Sequence, residues 1–217
     1  MKRTIFLFLI FSFSHLLTLT ALAGTKDAGT RKVLDATAAH IQKAGGISLQ
    51  FIATTLSGKT VQGSTSGRMD IMGNKLYMST PDMLTWFDGK QQWSMQTGDN
   101  EVNLTEPTGT ELQTLNPYAF LSVYKRGFNY KMKKGTLSNG KEGYKVYLNA
   151  DNARQDIREM FLEIDNQYNP VRVSIRQGKS HWVRLVVTSF KTGQKFAEGH
   201  FTFPTKKYPN AEIIDLR

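Results

Sequence analysis

The sequence predicts a mainly β fold with a few helices, built as an antiparallel barrel or curved sheet of roughly ten to twelve strands. Three observations predict it. From Gly67 onward, apolar and polar residues alternate with period two through most of the chain. Such alternation gives each strand one buried and one wet face. Turn signals at Gly73-Asn74, Asp88-Gly89 and Asn139-Gly140 divide the runs at short spacing, and an Asp-Gly between two alternating runs is a strong hairpin signal. Helical spacing occurs in only two places, ahead of the strands and in their middle.

The chain opens with Lys2 and Arg3, an apolar run from Ile5 to Ala21 and the exit Ala21-Leu22-Ala23 before Gly24. This is the pattern of a cleavable secretory signal over residues 1–23. Ser12, Ser14, His15 and Thr18 interrupt the run, which suits a signal better than a permanent span, the alternative reading. The expected mature protein is a single domain, residues 24–217, working outside the cytoplasm. The 194 remaining residues suffice for one full core.

Residues 31–44 (RKVLDATAAHIQKA) predict a helix. Val33, Leu34, Ala38 and Ile41 form one stripe, and Gly45-Gly46 ends it. Strands follow. Gly67, Met69 and Ile71 alternate with Arg68 and Asp70; Leu76 and Met78 flank Tyr77; Leu84 pairs in parity with Trp86, and Trp93 with Met95. Between residues 110 and 124 (TELQTLNPYAFLSVY) Tyr118, Leu121 and Tyr124 have helical spacing and Pro117 suits a helix start, so one or two short helices interrupt the sheet. Alternation resumes in Phe128-Tyr130-Met132, Tyr144-Val146-Leu148, Met160-Leu162-Ile164 and Val171-Val173-Ile175, and His181 to Phe190 is a further long strand.

Composition narrows the function. The chain has no cysteine, so burial alone holds it together and no thiol is present for lipid attachment. Its formal net charge is +10; without Lys2 and Arg3, 26 basic residues face 18 acids, a balance of +8. Lys125, Arg126, Lys131, Lys133 and Lys134 concentrate the excess with no acid among them. They read either as a docking patch for a partner or anionic lipid, or as solvated strand faces. No nucleic-acid-binding motif occurs.

Catalytic signatures are weak. His40, His181 and His200 lack metal-like spacing. Gly63–Gly67 (GSTSG) has Thr65 where a nucleophile elbow needs serine, and Ser138-Asn139-Gly140-Lys141 falls at a turn rather than a helix start. Asp99, Asn100 and Glu101 lack calcium-loop spacing. No metal, cofactor or catalytic group is expected.

What stands out is a surplus of soft, large apolar side chains: eight Met, thirteen Phe and three Trp. Met69, Met72, Met78, Met83 and Met95 cluster in sequence. Met suits surfaces that accept ligands of variable shape, and a curved sheet lined this way would form a greasy cavity. An ordinary barrel core explains the same composition. A dozen buried methylenes would supply about 10 kcal/mol before ordering costs, with no catalytic group.

Several segments together resemble the periplasmic outer-membrane lipoprotein carrier family, the LolA-like chaperones. The block 67–82 (GRMDIMGNKLYMSTPD) is similar to the family's strand-turn-strand before a Pro-acid step. Phe87-Asp88-Gly89-Lys90 with Trp93 resembles its hairpin, Asn116-Pro117 with Phe120-Leu121 its inserted helix, and Phe201-Thr202-Phe203-Pro204 with Ile213-Ile214-Asp215 its closing segment. The resemblance implies an incomplete (half-open) antiparallel β-barrel of about 11 strands with a helical lid. It implies a periplasmic chaperone, not an enzyme, that binds lipoprotein acyl chains and shuttles them from an inner-membrane lipoprotein-export ATP-binding transporter to an outer-membrane acceptor, working as a monomer. The chain departs from the family at Met72-Gly73-Asn74, where members carry an Arg-Pro step whose arginine helps hold the lid.

Strand parity then gives the expected acyl-chain lining: Met69, Ile71, Leu76, Met78, Leu84, Trp86, Trp93 and Met95, with Phe120, Leu121 and Tyr124 from the lid and Met160, Leu162, Ile164, Val173 and Ile175 on the far side. A one-residue register error would invert a whole strand. Trp86→Asp is expected to abolish uptake while the sheet stays folded. Two other readings of the fold are a lipid-binding envelope-stress sensor and a secreted hydrolase; a cluster of His181 or His200 with Asp or Glu in a cleft would favour the latter.

Overall fold

The computed structural model describes residues 26–108, 124–152 and 155–217. The signal reading and the residues Phe120 and Leu121 lie outside them.

One helix precedes the strands. α1 (Ala28–Lys43) begins at Asp27, whose carboxylate accepts hydrogen bonds from Thr30 N and Thr30 Oγ1, both at 2.6 Å. That N-cap starts the helix three residues earlier than its apolar stripe suggests. Both bonds favour the ionised carboxylate, and they hold Asp27 below the usual carboxylate range.

Twelve strands follow: β1 (Gly46–Ser57), β2 (Thr60–Met72), β3 (Lys75–Ser79), β4 (Met83–Phe87), β5 (Gln92–Gln96), β6 (Glu101–Thr105), β7 (Phe128–Thr136), β8 (Glu142–Ala150), β9 (Ile157–Asp165), β10 (Pro170–Gln177), β11 (His181–Gln194) and β12 (Glu212–Asp215). They form a single open sheet in the order β12-β6-β5-β4-β3-β2-β1-β11-β10-β9-β8-β7. The predicted half-open, mainly β architecture is therefore present, with one strand more than the expected eleven. Among the described residues every strand-to-strand pairing is antiparallel except β12 on β6, so the sheet's last strand closes against the grain, and an isolated parallel bridge joins Lys26 to Tyr130 of β7.

The turns fall where glycine is needed. Gly73 has φ +63° between β2 and β3, and Gly89 has φ +104° between β4 and β5, where the Asp88 carboxylate accepts from Lys90 N and Gln91 N at 2.8 Å. Gly67 serves a different purpose. A Cβ there would stand 2.6 Å from both the Phe51 ring and the Ser79 carbonyl oxygen. Its absence lets the buried Phe51 ring lie across β2.

α1 lies on one face of the sheet. Its start is held by Asp27 N donating to Tyr130 O at 3.3 Å, and its end by Gly193 N donating to Ala44 O at 2.9 Å and by His40 Nε2 against Asn169 Oδ1 at 2.9 Å. It therefore runs from β7 across to the joined ends of β1 and β11. Val33 and Leu34 pack into a core with Ile47, Leu49, Met69, Leu76, Tyr130, Leu148 and Leu162.

The opposite face is not uniformly wet, contrary to simple alternation. Asp70, Glu163 and Ser174 are all buried. The cause is long-range: the chain after β11 returns over this face, and the β7–β8 turn folds onto it, Ser138 N donating to Glu163 at 2.9 Å.

Gly67→Ala is expected to destabilise the fold by about 1–3 kcal/mol through forced displacement of Phe51 and the β3 backbone. Denaturant unfolding of the variant checks this, with Gly63→Ala, whose Cβ meets only Thr55 Oγ1 at 3.6 Å, as the milder comparison.

Candidate functional site

On the α1 face, register joins the apolar positions of neighbouring strands into one surface. Leu49 pairs with Met69 and Phe190, Phe51 with Val187, Ala53 with Leu185, Leu185 with Val173, Val173 with Leu162, and Leu162 with Val146. The helix covers part of it. A 16-residue helix is about 24 Å long and about 10 Å wide, whereas twelve strands extend about 53 Å across the sheet. Buried α1 residues number four: Thr30, Val33, Leu34 and Thr37. Beyond them Ala53, Met78, Ile175, Leu185, Val187 and Phe190 pack against the core while remaining partly exposed.

Of the predicted lining, Met69, Ile71, Leu76, Met160, Leu162, Ile164 and Val173 are buried together on this face, and Met78 and Ile175 sit at its margin. Tyr124 is also there, fully buried. Its hydroxyl donates to Asp35 of α1, and Asp35 faces Arg31 Nε at 3.5 Å. Burial, then the Asp35 bond, push the Tyr124 hydroxyl well above its ordinary 10.0.

Four predicted residues are elsewhere. Leu84, Trp86, Trp93 and Met95 point to the opposite face. Leu76 pairs with Phe87 and Met78 with Thr85, while Trp86 opposes Tyr77 and Trp93. The β3–β4 turn thus shifts parity by one position, so Phe87 takes the place on the α1 face expected for Trp86. These four form a second core with Val102, Leu104, Phe203 and Tyr208. Trp86 meets Phe203 edge-on at 5.3 Å. The methionine cluster divides likewise: Met69 and Met78 serve one face, Met95 the other, and Met72 and Met83 are exposed.

The basic run does not form one patch. Lys131 and Lys133 are exposed on the face opposite α1, where Lys133 lies 5.9 Å from the Tyr147 ring. Lys134 belongs to the α1 face, over Tyr144 at 5.7 Å, and Lys125 and Arg126 are exposed in the turn before β7. Alternation along a strand forces this division. Because β7 is a sheet edge, its lysines also discourage edge-to-edge pairing.

Sequence reasoning missed Ile47, Leu49, Phe51, Leu185 and Val187 on the α1 face. Alternation in 47–53 and 183–187 carried that signal. It also missed the pairing of His200 Nε2 with buried Asp70 Oδ2 at 2.9 Å, Arg68 completing the site at 3.0 Å. This is a His–Asp pair of the kind a hydrolase uses. However, the His200 ring stacks on Phe196 at 4.7 Å and meets Phe201 and Tyr77 edge-on. It acts as a hydrogen-bonded, ring-packed tie between β2 and the C-terminal segment. Among the described residues no group of three His, Asp or Glu could hold a metal ion.

Residues 19–179 match the family model of the outer membrane lipoprotein carrier protein LolA. The chain belongs to this family. The match ends before β11 and the C-terminal segment. Among solved structures, the chain is similar to a LolA superfamily protein from Nitrosomonas europaea, with 7% identity, 79% of this chain and 96% of that chain covered and a TM-score of 0.42. It is also similar to the lipoprotein LppX of Mycobacterium tuberculosis, with 16% identity, 77% and 99% covered and a TM-score of 0.45. A third likeness is to the MucA/MucB complex of Pseudomonas aeruginosa, with 13% identity, 86% and 64% covered and a TM-score of 0.43. No curated protein matches the chain.

Tyr124 provides a pH test of how α1 is held. A raised tyrosine value means that its stabilisation is complete below 10.0 and is lost as pH climbs above it. The protein should lose stability between about pH 10 and about pH 12 more steeply than Tyr124→Phe, measured by denaturant unfolding.

Proposed function

We propose that the protein is an extracytoplasmic carrier that holds the acyl chains of lipoproteins against the α1 face of its sheet, without catalysis. The observation that carries this reading is the strip Ala53, Ile175, Leu185 and Val187, apolar, continuous with the core and left partly exposed by α1. Exposed apolar area of this kind on a packed sheet has a use, and an acyl chain is matched to it. Each methylene moved from water onto the strip gains about 0.8 kcal/mol, so binding needs length rather than a specific polar contact. Family membership supports the same cargo. A soluble monomer carrying such a tail would take it from an inner-membrane export transporter of the ATP-binding class and pass it to an outer-membrane acceptor across the periplasm. The N-terminal secretory pattern is what directs it there.

Detergent removal from a mixture of the protein and a triacylated lipoprotein tests this: the protein should keep the lipoprotein soluble. Leu185→Asp should retain about a tenth of that capacity or less, because an unpaired carboxylate then lies where the tail would bind. Trp86→Asp strikes the opposite core and should lower stability in a thermal melt. The remaining folded fraction should load normally. Loading by Leu185→Asp equal to the parent would overturn the reading.

A further inference from the structure

The face opposite α1 carries a second feature that the carrier function leaves unused. At the ends of β8–β11 a cavity of about 560 Å³ is lined by Leu56, Tyr147, Phe161, Arg172, Trp182 and Arg184, among others, with Lys131 at its β7 side. Its size falls within the roughly 300–1,000 Å³ range of ligand sites. A neighbouring cavity of the same size shares Asn149 and Glu159 and adds Arg158, Arg176 and Lys179. Together the two present six cations. The acids in the lining are Glu159 and Asp151, and Glu163 lies behind, bound to Arg172 at 2.7 Å. Arg176 is held by Glu159 at 2.6 Å.

The remaining donors lack counter-charges. Lys131 and Arg184 are exposed and have no carboxylate partner among the described residues. Arg172 Nε is buried with no hydrogen-bond partner there, and a buried donor left unmade is costly. One flank of the site is apolar instead. Leu56 pairs with both Val61 and Trp182, and Ile52 with Val186, on this same face. Val61 is 58% exposed and Ile52 43%. The site is thus cationic towards β7–β10 and apolar towards β1–β2, with an amphipathic tryptophan between.

We propose that this pocket binds the phosphate headgroup of an anionic phospholipid and docks the protein on an acidic membrane surface. Guanidinium forks match phosphate oxygens bidentately. Tryptophan beside exposed aliphatic residues suits the headgroup level of a bilayer. The cationic half takes the phosphate, and Ile52, Val61 and Trp182 meet the glycerol and first methylenes. Since the site lies on the face opposite the acyl-chain strip, a carrier can be docked while loaded, and docking does not depend on loading.

Flotation of the purified protein with vesicles tests this. Phosphatidylglycerol-containing vesicles should carry the protein and pure phosphatidylcholine vesicles should not, and raising salt from about 0.05 M to about 0.3 M should weaken binding. Arg184→Glu and, on a different strand, Lys131→Glu should each weaken it roughly tenfold or more. Lys206→Glu, an exposed reversal of the same net charge on the C-terminal segment, should leave it nearly unchanged. Acyl-chain loading by Arg184→Glu should equal the parent, which shows that the variant is folded and separates this site from the carrier strip. Four results would overturn the proposal: equal binding to neutral vesicles, an equal loss in Lys206→Glu, full displacement by millimolar glycerol phosphate, or tighter binding to a polyglutamate peptide than to the vesicles.

Discussion

The register of β1 between β2 and β11 is the constraint on which the molecule depends. β1 joins the β2–β6 half of the sheet to the β7–β11 half, and pairs with both neighbours along nearly its whole length. That pairing places Ile47, Leu49 and Phe51 on the same face as Met69, Ile71 and Val187. Sliding β1 by one residue would turn these side chains away from α1 and expose the polar row Ser48, Gln50 and Thr54 to the core. The irregularity between Gln50 and Phe51 is where β11 absorbs an extra residue, so that both halves keep their apolar rows on the α1 side.

From that register the two faces acquire different characters. The α1 face is continuous and apolar, and among the described residues α1 leaves Ala53, Ile175, Leu185 and Val187 only partly buried. The other face is buried in its β2–β6 half by Phe203 and Tyr208, and open in its β8–β11 half. Charges on it are buried only where they are matched. Asp70 is held by Arg68 and His200, and Glu163 by Arg172 and the Ser138 amide. Removing one partner of such a site leaves an uncompensated charge, a far larger cost than the modest net worth of the pair. These ties fix the C-terminal segment and the β7–β8 turn in place, and so decide which parts of that face stay accessible.

Family membership sets the architecture, and α1 is fastened to it at both ends and in its middle: Asp27 to β7, His40 to Asn169, and Asp35 to Tyr124. Each tie joins a helix residue to a strand or turn rather than to another helix, so the apolar strip beyond α1 stays separate from the contacts that hold it.

Much of this was legible in residue order alone. Alternation in Tyr144–Leu148, Met160–Ile164 and Val173–Ile175 identified which side chains share a face, because period two within a strand is a local property of the pleat. Gly73, Gly89 and Gly140 marked their turns, because positive φ is a local steric demand. The absence of cysteine and the weight of Met and Phe also followed from composition. Tertiary structure alone decided the phase between strands. Leu76 and Trp86 look equivalent by parity, yet the β3–β4 turn sets them on opposite faces, since hydrogen-bond register depends on backbone path and not on side-chain type. It alone brought His200 to Asp70, 130 positions away, and gathered Lys131, Arg172 and Arg184 from three strands around Trp182. Such meetings arise from the order of strands in the sheet, which no local pattern in the chain encodes.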